Sequence, residues 1–136
     1  MSGVRTFTSA KLRVKNPETG NSYSSKTKVK IFLDTGSSHT IIPAESLHSI
    51  DSKAGPFETM KANVKTANGN KKMIALKGVE LCIDSCCFVG DVLVTDGIPG
   101  DVLLGSDFFK ATKTSIDFGK GKIKCQGKSQ KLNLES

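Results

Sequence analysis

The chain has 136 residues, enough for one domain with a modest core but small for an enzyme working alone. Apolar residues make up 37%, with one Tyr and no Trp, so the core is lean. The net charge of +7 invites a nucleic-acid reading, yet the lysines (Lys26, Lys28, Lys30; Lys71, Lys72; Lys120, Lys122, Lys124) are dispersed as on the solvent faces of strands, and no aromatic platform accompanies them, which argues against nucleic acid as the main partner.

No apolar run approaches the roughly eighteen residues of a membrane span, and the N-terminus lacks the apolar stretch of a secretion signal, so neither a membrane nor export is expected. Residues 1–10 lack pattern and read as a loose lead. From Lys11, Leu12 and Val14 alternate with Lys11, Arg13 and Lys15, the signature of a half-buried strand. Asn16 to Asn21 is dense in turn formers. Thr27, Val29, Ile31 and Leu33 then share one face of a second strand, which is expected to pair with the first as a hairpin.

That strand runs into Asp34-Thr35-Gly36-Ser37, and an apolar strand resumes at Ile41. One carboxylate is thereby set on a tight turn between two buried strands. Gly36 permits the turn, and Thr35 and Ser37 can hydrogen-bond within it. A carboxylate held at a protein interior is costly to desolvate, which marks Asp34 as a functional residue.

After Pro43, Ala44 to His48 is compatible with a single helical turn, and Ser49 to Lys61 reads as loop. Val64 to Ile74 places Asn68-Gly69 between two strand-like arms, the strongest short hairpin signal, because a type I′ turn needs positive φ at both central positions. Val79 to Ile83 alternates, Asp84-Ser85 turns, and Cys86–Val89 and Val92–Val94 follow as strands. Val102-Leu103-Leu104 is apolar without alternation, hence buried on both faces. Ser106 is a candidate N-cap for a short helix from Asp107 to about Thr112, with Asp107 as a first-turn carboxylate. Ser115–Phe118 and Lys122–Cys125 read as a hairpin, and residues 126–136 as a frayed tail. The composition, rich in glycine and without long helical periodicity, favours an all-β fold with this one helix.

The four cysteines (Cys82, Cys86, Cys87, Cys125) lack zinc-site spacing, and adjacent Cys86 and Cys87 point to opposite faces of a strand. Reduced thiols packed as small apolar residues are expected, with no metal and no cofactor. Asp84, Asp91, Asp96 and Asp101 sit by turns and read as solvated. His39 and His48 have no recognisable nucleophile partner, so no catalysis is assigned to them.

Phe32-Leu33-Asp34-Thr35-Gly36-Ser37 resembles the active-site motif of the retropepsin-like aspartic peptidases. Asp101 to Phe109 is similar to the apolar-apolar-Gly-x-Asp segment that passes beneath that active site and opens the C-terminal helix. The resemblance spans residues 11–125 and implies a closed β-barrel-type protease domain acting as a twofold homodimer on a peptide or polyprotein. It implies Asp34 as the catalytic residue, Thr35, Gly36 and Ser37 as its support, Leu103, Leu104 and Gly105 as the motif under the site, and a substrate-binding flap tip at Ala67, Asn68, Gly69 and Asn70. Retroviral members commonly pair an acidic residue after Asp-Thr-Gly with an arginine after the later glycine. Here Ser38 and Ser106 stand at those positions, so that ion pair is absent. The resemblance to retrotransposon or cellular members places the protein in the cytoplasm or within a virus-like particle.

Peptide hydrolysis by carboxylates needs two of them, one to take a proton from water and one to donate to the scissile carbonyl. Two such groups about 3 Å apart cannot both be charged, so they share a proton. This chain supplies one Asp-Thr-Gly, and the economical solution is a homodimer in which Asp34 meets its symmetry mate. A Ser37 hydroxyl bonded to the carboxylate favours its charged form and predicts a more acidic optimum than in Ser37→Ala. The alternative is a domesticated, non-catalytic module of the same fold that dimerises or binds peptides.

Overall fold

The computed structural model describes residues 5–66, 69–95, 102–131 and 133–135. It is dominated by strands: β1 (Arg5–Ala10), β2 (Leu12–Lys15), β3 (Ser22–Ser24), β4 (Val29–Leu33), β5 (Ile41–Pro43), β6 (Thr59–Thr66), β7 (Gly69–Ile83), β8 (Cys86–Thr95), β9 (Val102–Leu104), β10 (Ser115–Asp117), β11 (Lys122–Cys125), β12 (Lys128–Lys131) and β13 (Asn133–Glu135). Two short helices, α1 (Leu47–Ala54) and α2 (Ser106–Thr112), interrupt them, and a 3-10 turn at Ala44–Ser46 leads into α1. The all-β expectation holds. No helix among the described residues is long and apolar enough to cross a membrane.

A ten-stranded sheet carries the strands in the order β13-β1-β4-β9-β5-β8-β7-β2-β3, with β6 added on β7. Along the centre, β4 and β9 run parallel, with Leu33 opposite Leu104, and β9 meets β5 where Ile41 faces Leu103. Burial explains the composition of these strands: Ile31, Phe32, Ile42, Val102 and Leu104 are all buried, so continuous apolar runs replace alternation. Phe108 from α2 stacks edge-on against Phe88 of β8, with ring centroids 5.3 Å apart. A smaller apolar cluster of Met73, Ala75 and Leu93, with Ile41, Ala62 and Val64 against it, anchors the β6–β7 hairpin beside β5.

Five expectations are corrected. The strand at Leu12 does not pair with the one that carries Asp34. Instead β2 lies between β3 and β7, because the short β3 after the Asn16–Asn21 turn takes the adjacent edge, while β4 is clasped by β1 and β9. The lead is not loose from Arg5 on: β1 pairs with β4, and Phe7 sits opposite Phe32 with ring centroids 5.7 Å apart. The stretch after Pro43 makes a longer helix, since Ile50 and Ala54 fall on one buried face, and β6 begins by Thr59. The tail does not fray throughout. Gln126 and Gly127 both take positive φ, 51° and 82°, and such a turn folds β12 back on β11.

The fifth concerns the thiols, all four of which are paired. Cys82 bonds Cys87, its cross-strand neighbour on the β7–β8 hairpin, and Cys86 bonds Cys125. The alternation of Cys86 and Cys87 is what sends them to different partners. Cys86 faces inward and ties the main sheet to the small sheet β10-β11-β12, whereas Cys87 faces the other side.

Candidate active site

Strand β4 ends at Leu33, and the chain turns through Asp34, Thr35 and Gly36, all exposed, into half-buried Ser37. The turn is tied on both sides. Asp34 donates its backbone N–H to the Leu104 carbonyl at 2.9 Å, and Ser106 donates its own to the Ser37 carbonyl at 2.7 Å. Within the turn, Gly36 N–H donates to Asp34 Oδ1 at 3.1 Å and Ser37 N–H to the Asp34 carbonyl at 3.1 Å. Leu103, Leu104 and Gly105 therefore lie directly against the turn, brought there by the parallel pairing of β9 with β4.

Gly105 is where backbone meets backbone. A Cβ at this position would lie 2.5 Å from the His39 carbonyl oxygen and 2.8 Å from its nitrogen, so only glycine fits. Just beyond, the Asp107 carboxylate accepts two hydrogen bonds from Thr40, from its N–H at 3.1 Å and its hydroxyl at 2.8 Å, and a third from Phe108 N–H at 2.7 Å. Buried Thr40 also accepts from Gly105 N–H at 3.2 Å. Backbone and hydroxyl groups, closed by one carboxylate, thus join the segment after the turn to the start of α2.

Three expectations about this region change. Asp34 is exposed in the single chain rather than interior, because the turn follows the end of β4 and is left uncovered by the described residues. The Ser37 hydroxyl donates to the His39 carbonyl at 2.9 Å, not to Asp34, whose carboxylate is served by a backbone N–H instead. Ser106 is not a cap either: Gly105 occupies the N-cap position of α2 without a side-chain bond, and Ser106 is the first helical residue.

The β6–β7 hairpin forms, with Thr66 opposite Gly69 at its far end. Gly69 and Asn70 open β7 and are exposed, while Ala67 and Asn68 lie outside the described residues. An open groove of about 570 Å³ beside the hairpin, lined by Ala44, Leu47, Lys61, Met73, Ile74 and Val94 among others, does not include the Asp34 turn.

Sequence reasoning missed the pairing of Thr40 with Asp107. Its signal was a threonine opening an apolar strand and an aspartate in the first turn of a helix, each ordinary when read alone. Asp91 is exposed, as expected, but it lies within β8 rather than by a turn. Its carboxylate bonds Lys77 Nζ at 2.9 Å and Gly78 N–H at 3.1 Å, holding the bulge of β7 where Gly78 takes φ of 62°. The Lys77 hydrogen bond, then that of Gly78, holds the Asp91 carboxyl below the usual carboxylate range.

Among the described residues, Glu80, Cys82 and Cys87 bring possible metal-ligand atoms within 4.8 Å of one another. They do not fit a cation: the two sulfurs are bonded to each other, and the Arg13 guanidinium reaches Cys82 Sγ at 3.3 Å.

An all-β chain that presents Asp-Thr-Gly on such a turn, with an apolar-apolar-Gly strand laid against it, is of the aspartic-peptidase class. The model of the family described as "gag-polyprotein putative aspartyl protease" matches residues 23–111, and the chain belongs to that family, in keeping with its resemblance to the retropepsin-like peptidases. No curated protein matches the chain.

Proposed function

We propose that the protein is an aspartic endopeptidase that works as a twofold homodimer, with the two Asp34 carboxylates holding the attacking water between them. The observation that carries this reading is a single Asp-Thr-Gly turn, exposed in one chain yet fixed by backbone bonds on both flanks, in a chain of an aspartyl-protease family. One carboxylate cannot act as both acid and base toward the same peptide bond, and a second copy supplies the other. Thr35 braces the turn across the axis, Gly36 offers its backbone to substrate, and the β6–β7 hairpin, with its tip at 67–70, closes over it as a flap. The substrate is an extended segment with apolar residues flanking the cut, within a retroelement-type polyprotein.

The test is hydrolysis of a peptide library over a range of protein concentrations, wild type beside Asp34→Asn. Cleavage per chain should rise with concentration through the dimerisation range and vanish in the variant. Cuts shared by both proteins would remove Asp34 from the mechanism, and dimerisation without cleavage would favour the non-catalytic module.

A further inference from the structure

The two disulfides differ in their surroundings. Both join a buried to a half-buried cysteine, but Cys86 and Cys125 meet between the main sheet and the small one, among apolar Ile83, Leu104, Phe108 and Ile123. Cys82 and Cys87 face each other on the β7–β8 hairpin, with Cys82 fully buried and Cys87 half-buried. Arg13 of β2, opposite Cys82 in the sheet, lays its guanidinium 3.3 Å from Cys82 Sγ and 3.8 Å from Cys87 Sγ; the Glu80 carboxylate, 3.8 Å from Arg13, is also 3.8 Å from Cys82 Sγ, so the guanidinium is the nearer of two opposed charges. A guanidinium stabilises a thiolate, and a disulfide breaks faster when its leaving sulfur is stabilised as the anion.

We propose that Cys82–Cys87 is a thiol-exchange site for low-molecular-weight thiols of the glutathione class, with Cys87 as the sulfur that is modified and Arg13 as the group that stabilises the departing Cys82. An external thiolate attacks Cys87 Sγ, the more accessible sulfur. A new S–S bond forms there, the Cys82–Cys87 bond breaks, and its electron pair leaves on Cys82 as a thiolate beside Arg13. A second external thiolate then attacks the outer sulfur of the mixed disulfide, releasing the oxidised small thiol and leaving Cys87 as a thiolate. The reverse sequence, with an oxidised small thiol as the electron acceptor, restores the bond. Cys86–Cys125 stays closed on the same timescale, since a thiolate leaving there would face apolar Ile83, Leu104, Phe108 and Ile123.

The experiment is a time course of the folded full chain in reduced glutathione at neutral pH, quenched by alkylation and mapped by mass spectrometry, with circular dichroism to verify that the fold persists. Cys82–Cys87 should open at least about tenfold faster than Cys86–Cys125, with glutathione found transiently on Cys87. Arg13→Gln should slow the opening several-fold, and Arg13→Lys should restore most of the rate. Equal rates for the two disulfides, adducts on Cys82, or an Arg13→Gln variant as fast as wild type would each overturn the assignment. The comparison of the two disulfides needs no variant and stands if Arg13→Gln fails to fold.

Discussion

Thr40 and Asp107, 67 residues apart in the chain, are joined by two hydrogen bonds from the backbone and hydroxyl of the first to the carboxylate of the second. Because Thr40 follows the Asp34 turn and Asp107 opens α2, this pair fixes the turn relative to the helix. Hydrogen bonds to a charged acceptor are stronger than neutral ones, and Thr40 is fully buried, so their loss is costly. Asp107→Ala should destabilise the fold by about 2–4 kcal/mol in denaturant melts, and Asp107→Asn, which keeps one acceptor oxygen, by clearly less.

Gly105→Ala should be at least as damaging to the site. The added methyl would meet the His39 backbone on a segment already pinned by Thr40, so neither side can yield cheaply. A loss of about 1–3 kcal/mol or more is expected. Peptidase activity, measured well below the melting temperature, should fall further than the stability loss alone accounts for.

Asp34→Asn should leave the fold of the chain intact, because the side chain is exposed and, among the described residues, its carboxylate bonds Gly36 N–H alone. Hydrolysis should drop by at least about 10²–10⁴-fold, the usual worth of a positioned acid–base group. A variant that remained active would refute the mechanism, and one that unfolded would refute this account of the turn.

Ser37→Ala should leave the pH–rate profile in place. The hydroxyl is spent on the His39 carbonyl, so removing it does not change the groups that bond the carboxylate. A shift of the acid limb would place the hydroxyl at Asp34 in the working enzyme.

Asp91 sets a small pH dependence of stability. Its carboxyl titrates below its ordinary value in the folded chain, so its contribution is present above the unfolded-state pKa, usually 3.8, and is lost as pH falls through the lower folded value. Both side chains of the Lys77 pair are substantially exposed, at 35% and 45%, which limits the effect to about 0.2–1 kcal/mol. Asp91→Asn should lower the melting temperature slightly at neutral pH and not at all in strong acid.

Much of this molecule was legible in its sequence because the signals were local. Ile31 to Leu33 running into Asp34-Thr35-Gly36, the alternation of Val79 to Ile83, and the unbroken Val102-Leu103-Leu104 each name an element without reference to anything distant. The partners of those elements were not legible. Nothing in Leu12–Lys15 states that it will choose Tyr23 and Leu81 over Ile31, since register and neighbour are decided by which edges remain open once the whole sheet assembles. Likewise Asp107 was readable as a first-turn carboxylate, but its three hydrogen bonds depend on a β9–α2 junction that only the folded chain creates. The cysteines misled for a related reason: their opposite-facing alternation was sound, but what each face would meet was a tertiary fact.

Strand β13 lies beside β1, with Glu135 opposite Arg5, so the first and last described residues are cross-strand neighbours about 5 Å apart. The same closeness makes a circular permutant feasible, with a few linking residues bridging the old ends and new ones opened at the Asn16–Asn21 turn.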